Sequence, residues 1–522
     1  MNAFGSGIRR LCGVAAASSA QEMAAQVKAA LRETPTVELR LDWLRSDRER
    51  ARFLAWLGAH RPRGATCLAT CRRREGGGRL AVSVRAQLEW LKAAGDAGCS
   101  WMDLETETIR KLHPGSIREL GLRRILLSVH DFRGSHKIAE DGIFVPLPGC
   151  NEVDCVKIAI QTSTVCDSFA LLVFALPGKV KGFPSAMRNQ VVVPMGDVAL
   201  PARILALRYG SPLAYAPVGE ATAPGQVPLR ELKYLYRAHR LTKRTQVYGV
   251  IGNPIGHSLS PVLHNTGFIS RRIDAVLLPF LVRDLHDFLR AIPELGIRGF
   301  AVTIPHKQDI IKHLGHCDPL AADIGAVNTV RVARDGSMHG YNTDYIGVLR
   351  ALERRLPLAR SRVLIFGAGG SARAAAFALV RAGAHVAICS RRPRAAGELA
   401  AAAKCEVIPR RALRTENFDA ILNTTPVGMY PADRASPLDS AELNCRFVMD
   451  FVYRPETTQL LRLAARKGIS TISGIEMFLA QGIAQWELWM KCRAPEAAMR
   501  RASLAALRDQ ASGKPATSRG NR

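Results

Sequence analysis

No stretch of this 522-residue sequence approaches the roughly 18 consecutive apolar residues of a membrane-spanning helix, and its most apolar run, 169–176, stops at Pro177. No membrane partner is expected. Cys-x-x-Cys pairs are also missing. Cys67 and Cys71 make one wider spacing with no second pair, so no metal site is expected. The 12 cysteines follow no framework of a secreted disulfide scaffold, which favours reduced thiols and a cytoplasmic protein. Arg9 and Arg10 precede a small apolar run, 11–17, at the short end of the range for a secretory signal; a first buried strand is the better reading. Acidic residues are the minority, 45 against 73 lysines and arginines, for a formal net charge of +28. That excess is spread along the whole chain, often on Ala/Leu-rich stretches such as 372–381 and 497–508, and no zinc finger or RNA-binding motif accompanies it. A solvated basic surface that attracts anionic small molecules is expected, not a nucleic-acid partner.

What is present is the composition of an ordinary globular protein, 48% hydrophobic and 23% charged, in a chain too long for one core. Residues 1–235 repeat one pattern of short apolar strand, charged amphipathic helix, and strand again. Strands are expected at 11–16, 36–41, 66–70, 101–104, 125–129, 153–160, 190–194 and 213–216. Eight strands alternating with helices fit a closed (β/α)8 barrel better than the alternative, an open doubly wound sheet. A basic linker is expected at 236–246. Residues 247–345 read as a small α/β unit and 346–473 as a Rossmann dinucleotide-binding domain. Helices over 474–508 are expected to pack back on the small unit, and 509–522 to form a disordered basic tail. The sequence sets no oligomeric state.

Polar residues gather at the ends of the barrel strands, where such a fold keeps its site. Glu38 and Arg40 are two apart and share one strand face; Asp103 and Glu105 alternate on another. Arg72 and Glu75 flank the turn before Gly76-Gly77-Gly78, and His130 follows the strand 125–129. Lys157 lies inside the apolar phrase Cys155-Val156-Lys157-Ile158-Ala159. Burying an ammonium is costly unless it is paired or neutralised, and the neutral amine is the nucleophilic form. A lysine that reaches solvent or pairs with an acid is the alternative for this residue taken alone.

In order, these segments resemble type I 3-dehydroquinate dehydratase. The resemblance runs through Glu38-Leu39-Arg40, Arg72 to Gly77, Ser128-Val129-His130-Asp131-Phe132, Val156-Lys157-Ile158-Ala159, Arg203, and Ala223-Pro224-Gly225-Gln226. It implies a Schiff base between Lys157 and a substrate ketone, His130 as general base and acid, and Glu75 orienting that histidine. It further implies Arg203 as a carboxylate clamp, with Glu38, Arg40, Arg72, Thr222 and Gln226 on substrate hydroxyls or closing the site. The sequence departs from the family pattern in places. The Arg72-to-Glu75 interval is one residue short, Thr222 replaces a serine, and Ala199 and Ala202 replace a glycine and a serine.

In the second half, Gly367-Ala368-Gly369-Gly370-Ser371-Ala372 is a glycine turn that opens a helix, a place where a pyrophosphate can approach the backbone. Past the next strand stand Ser390, Arg391 and Arg392, with Arg394 nearby. An acid there would suit the ribose hydroxyls of NAD; a basic cluster suits the 2′-phosphate of NADP(H). Upstream, Ser258 and Ser260 offer two hydroxyls beside a helix start. Thr303 and Lys307, Asn328, and Asn342-Thr343-Asp344 add a lysine, amides and an acid.

Together with Asn423-Thr424-Thr425-Pro426-Val427-Gly428-Met429 and Glu476–Gly482, these phrases resemble shikimate dehydrogenase over about 245–490. The resemblance implies Lys307 and Asp344 as the catalytic pair, and Ser258, Ser260, Thr303, Asn328 and Gln481 as ligands of a ring carboxylate and hydroxyls. Ala301 and Ser390 each stand where the family commonly has asparagine. The first family's product, 3-dehydroshikimate, is the second family's substrate, so a bifunctional enzyme acting on 3-dehydroquinate and then 3-dehydroshikimate is expected. The rival readings are a quinate-type dehydrogenase working catabolically, and a basic binding protein on retired catalytic folds.

Overall fold

The computed structural model describes residues 4–60, 63–112, 121–134, 138–139, 142–143, 153–174, 189–220, 225–256 and 258–511. By its internal contacts the chain divides into two compact units, one built mainly from residues up to 245 and the other from residue 246 onward, with 286–295 assigned to the first.

In the first unit the eight parallel strands run Leu11–Ala15, Thr36–Arg40, Thr66–Thr70, Trp101–Glu105, Ile125–Asp131, Cys155–Gln161, Gln190–Met195 and Ala214–Pro217. The first seven pair in sequence order, and the last pairs with the first, so a nearly closed barrel forms. Between Gln190–Met195 and Ala214–Pro217 no ladder is formed; Ser211 Oγ instead accepts from Val192 N–H at 3.2 Å. Three helices that cover the barrel begin at serines whose hydroxyls accept from the first turn: Ser19, Ser46 and Ser83.

The two-residue period of a strand explains where the site lies. An apolar layer of Cys12, Val14, Leu68, Trp101, Leu126, Cys155, Val191 and Leu213 fills the barrel, and Phe4 stacks on Trp101 at 4.3 Å. Two residues further along, the same inward face becomes Thr70, Asp103, Ser128 and Lys157. Two further again it is Arg72, Glu105 and His130. The register agrees, because Thr70 lies beside Asp103 and Ser128 beside Lys157.

The second unit has two sheets. One has the order Ala275–Leu281, Gln246–Gly252, Ile297–Val302, Thr329–Val332, Met338–Tyr341 and His316–Cys317, with antiparallel pairing around Thr329–Val332. The other is a fully parallel sheet ordered Glu406–Val407, His385–Cys389, Arg362–Phe366, Phe418–Asn423, Cys445–Asp450 and Ser470–Ile472. Its order reverses at Arg362–Phe366, which is the crevice where such sheets take dinucleotides. Helices Gly474–Met490 and Glu496–Ala511 bury Trp486, Trp489, Met499 and Leu507 against Tyr248, Leu263 and Phe268 of the first sheet's lobe. Among the described residues no helix is long and apolar enough to cross a membrane.

Trp486 has no exposed surface and lies 5.1 Å from the Phe268 ring; a Cβ on Gly267 would come within 2.5 Å of its ring. Trp486→Ala is therefore expected to cost ~3–5 kcal/mol. The measurement is an earlier unfolding transition of the second unit, with the first unit's transition unmoved.

Candidate active sites

The barrel brings five charged side chains into one buried cluster. Lys157 Nζ lies 3.7 Å from both Glu38 Oε1 and Asp103 Oδ2, and 4.2 Å from the centre of the Tyr215 ring. Asp103 in turn accepts from Ser128 Oγ at 2.5 Å and from Arg72 at 3.0 Å. Glu38 accepts from Thr70 Oγ at 2.7 Å. Burial alone would raise the Glu38 carboxyl, but Lys157, Arg40 and Arg72 hold it below the usual range. Arg40 is clamped by Asp42 through two bonds of 2.9 and 2.8 Å.

His130 stands two residues beyond Ser128 on the same inward face. Burial, followed by the charges of Arg72, Lys157 and Arg40, pushes it well below the ordinary histidine value, so it is neutral near pH 7. Its Nδ1 is buried without a hydrogen-bond partner. Arg203, on the short helix Leu200–Leu205, has a buried Nη1 without a partner, and burial pushes the group down to about 10. A buried guanidinium with an unused donor suits an incoming carboxylate. Gln226 is half-buried in the segment after the last strand.

The second unit holds a cavity of about 450 Å³ lined by Ser258, Ser260, Thr303, Lys307, Asn328, Asp344, Ser371 and Gln481. Lys307 Nζ donates to Asp344 Oδ2 at 2.6 Å and to Ser371 Oγ at 3.2 Å. Asn328 Nδ2 holds the other Asp344 oxygen at 2.8 Å and reaches Gln481 Oε1 at 3.4 Å. One chain of bonds therefore joins the ammonium, the carboxylate and two amides. On the nucleotide side, Gly367 adopts φ +129°, and a Cβ there would strike Thr424 Oγ1 at 2.4 Å. Nothing lies within 4 Å of a Cβ built on Gly369, at the N-terminus of helix Gly370–Arg381. That open backbone approach suits a pyrophosphate. Ser390 is half-buried, and Arg391, Arg392 and Arg394 are exposed past His385–Cys389.

Three family models match the chain: type I 3-dehydroquinase over residues 11–243, the shikimate dehydrogenase substrate-binding domain over 250–330, and the shikimate 5′-dehydrogenase C-terminal domain over 474–502. A chloroplastic bifunctional 3-dehydroquinate dehydratase/shikimate dehydrogenase of Arabidopsis thaliana is 32% identical over 88% of this chain and 78% of its own. The chain belongs to this bifunctional family. A shikimate dehydrogenase (NADP(+)) of Bacillus cereus is 43% identical over 47% of this chain and 93% of its own length. The solved shikimate dehydrogenase of Aquifex aeolicus covers 50% of this chain and 98% of its own at 34% identity, with a TM-score of 0.47.

The two active regions of this family member differ in how fully the expected residues assemble. Glu75 is the clear exception. Its side chain is 53% exposed, held by Lys111 at 2.7 Å and Arg73 at 3.0 Å, and no hydrogen bond joins it to His130. The turn Arg74–Gly76 points it outward, while Glu105 fills the inward space under Gly76, accepting from Gln87 and Thr108. The Ala372 side chain is fully buried in the Rossmann core, so only its backbone N–H, in the first turn of helix Gly370–Arg381, is left to meet a ligand. Arg394 is engaged by Glu398 at 2.9 Å. Thr222 lies outside the described residues. Sequence reasoning passed over Asp42, Tyr215 and Gln485. Asp103 was singled out by its alternation with Glu105 but was given no role.

Proposed function

We propose that the chain dehydrates 3-dehydroquinate to 3-dehydroshikimate in its first unit and reduces that product to shikimate with NADPH in its second. The observation that carries the reading is that each unit holds its own lysine, buried in the first and half-buried in the second, beside a carboxylate, with the remaining polar residues of one reaction around it. In the barrel, the Lys157 amine attacks the ketone carbon and water leaves, forming an iminium that draws electrons from the neighbouring C–H bond. Neutral His130 takes that proton and returns it to the departing hydroxyl, which leaves as water. Hydrolysis of the imine then frees the lysine. Arg203 holds the substrate carboxylate, and Glu38, Arg40 and Arg72 set the ring and keep the lysine's surroundings polar.

In the second unit, Gly367, Gly369, Gly370 and Ser371 would hold the pyrophosphate, and Ser390, Arg391 and Arg392 the 2′-phosphate. NADPH, when bound, supplies the hydride. Lys307 donates a proton to the carbonyl oxygen as negative charge develops there, and Asp344, fixed by Asn328, keeps the ammonium in place. Ser258, Ser260, Thr303 and Gln481 orient the acid's carboxylate and hydroxyls.

The test supplies 3-dehydroquinate and NADPH and follows shikimate by chromatography alongside NADPH loss. Formation of 3-dehydroshikimate alone would leave the reductase half unsupported. For the cofactor, Arg391→Ala is expected to weaken NADPH about 10–100-fold, the scale of one charge-assisted hydrogen bond, and NADH hardly at all. Equal losses for both would remove Arg391 from the 2′-phosphate. A cytoplasmic location is supported by the free, mostly buried thiols such as Cys12, Cys67 and Cys155, and fractionation tests it.

A further inference from the structure

The reductase cleft is backed by a second buried acid. Asp450 ends the strand Cys445–Asp450 and has no exposed surface. Its Oδ1 accepts from Asn423 Nδ2 at 2.9 Å and from Val452 N–H at 3.0 Å, and its Oδ2 accepts from Thr458 Oγ at 2.6 Å. These donors are all neutral, and no charged side chain contributes to the acid's titration. A carboxylate buried without a cation is costly. An asparagine could receive the Asn423 and Val452 bonds without that cost, so folding alone does not call for an acid here.

The bonds lead to the cavity along two routes. Asn423 Oδ1 accepts from Thr425 N–H at 3.0 Å and Thr425 Oγ at 2.7 Å, and Thr424 and Thr425 line the cavity beside Gly367. Val452 belongs to the wall segment 451–454, and Phe451 N–H donates to Asn423 O at 2.9 Å. One carboxylate thus ties the Thr424-Thr425 loop to the 451–454 wall.

Building on the reductase reading of this cleft, we propose that Asp450 is a positioning residue for the dinucleotide, an anionic clamp whose charge keeps both wall segments in the arrangement that binds NADP(H). Burial pushes the Asp450 carboxyl up to about 6, against the pull of Thr458, Val452 and Asn423, so the clamp changes charge close to neutrality. A carboxyl whose folded value is raised contributes stability at low pH and loses it as pH rises through about 6. Protonating Asp450 therefore does not unfold the lobe, and weaker nucleotide binding in mild acid is not a folding effect.

The experiment titrates full-length protein with NADP⁺ by calorimetry between about pH 5 and 8, comparing wild type, Asp450→Asn and Thr458→Val. Asn mimics the neutral acid, so it should bind about tenfold more weakly than wild type near pH 7.5 and equally near pH 5, where wild-type Asp450 is also neutral. The ratio cancels the nucleotide's own phosphate titration. Thr458→Val removes a bond that favours the charged form and should move the midpoint of wild-type-like behaviour to higher pH. Equal affinities near pH 7.5, or a ratio constant with pH in folded protein, would overturn the clamp. Wild type that binds no NADP⁺ at any pH would overturn both the cofactor reading and the clamp. A pH-dependent ratio in protein that reduces no 3-dehydroshikimate would support the clamp and count against the reductase reading alone.

Discussion

Lys157→Ala is expected to lower 3-dehydroquinate turnover on the order of 10⁴–10⁶-fold, because it removes the only group proposed to bond covalently to substrate. Borohydride added with 3-dehydroquinate should inactivate the wild-type dehydratase irreversibly and leave a reduced adduct on Lys157, seen by peptide mass spectrometry. The variant should take no adduct. Substitution also removes the ammonium 3.7 Å from Glu38 and Asp103, leaving two buried carboxylates with Arg40 and Arg72 as their remaining cations. Some loss of barrel stability is therefore expected, and retained reduction of supplied 3-dehydroshikimate shows that the second unit is unaffected. Adduct on another lysine, or full dehydratase activity in the variant, would sink the Schiff-base assignment.

Lys307→Ala should produce the opposite block. Dehydration continues and 3-dehydroshikimate accumulates even with NADPH present, with reduction down about 10²–10⁴-fold, the usual loss for a positioned proton donor. Asp344 stays hydrogen-bonded to Asn328 in the variant, so its placement survives the loss of the lysine. His130→Ala should stop 3-dehydroquinate consumption while supplied 3-dehydroshikimate is still reduced. Mixing the two variants should restore flux to shikimate through free intermediate. If either change abolished both reactions in protein folded by circular dichroism, the two sites would not be independent.

The barrel strands and the Rossmann turn were legible because each rests on a local period or a short phrase: alternation for Lys157, Asp103 and His130, glycines for residues 367–370. Lys307, Asp344, Asn328 and Gln481 were legible through phrases whose residue types meet in one cavity. Glu75 was misjudged because its place depends on the path of a turn. The turn Arg74–Gly76 sends the side chain outward, where Lys111, 36 residues away in sequence, captures it. Tyr215 escaped notice because its contact with Lys157 is made across the barrel, where no spacing along the chain encodes it, and Asp42 because it reaches back to Arg40 from the short turn Leu41–Trp43 and not from the strand itself. Asp450 pairs with the strand that ends in a recognised motif, yet its three donors come from that motif and from two places in the stretch that follows Asp450.

The missing ladder between Gln190–Met195 and Ala214–Pro217 makes the barrel a split ring. The helix Leu200–Leu205, which carries Arg203, lies in the connection between these two strands. Amides along the seam lack the reciprocal bonds that protect the rest of the ring, so they should exchange with deuterium first. The lysine strand, paired on both sides, should exchange late. Warming would then loosen the grip on the substrate's carboxylate while the nucleophile is still held, and affinity would decline at temperatures where the imine can still form.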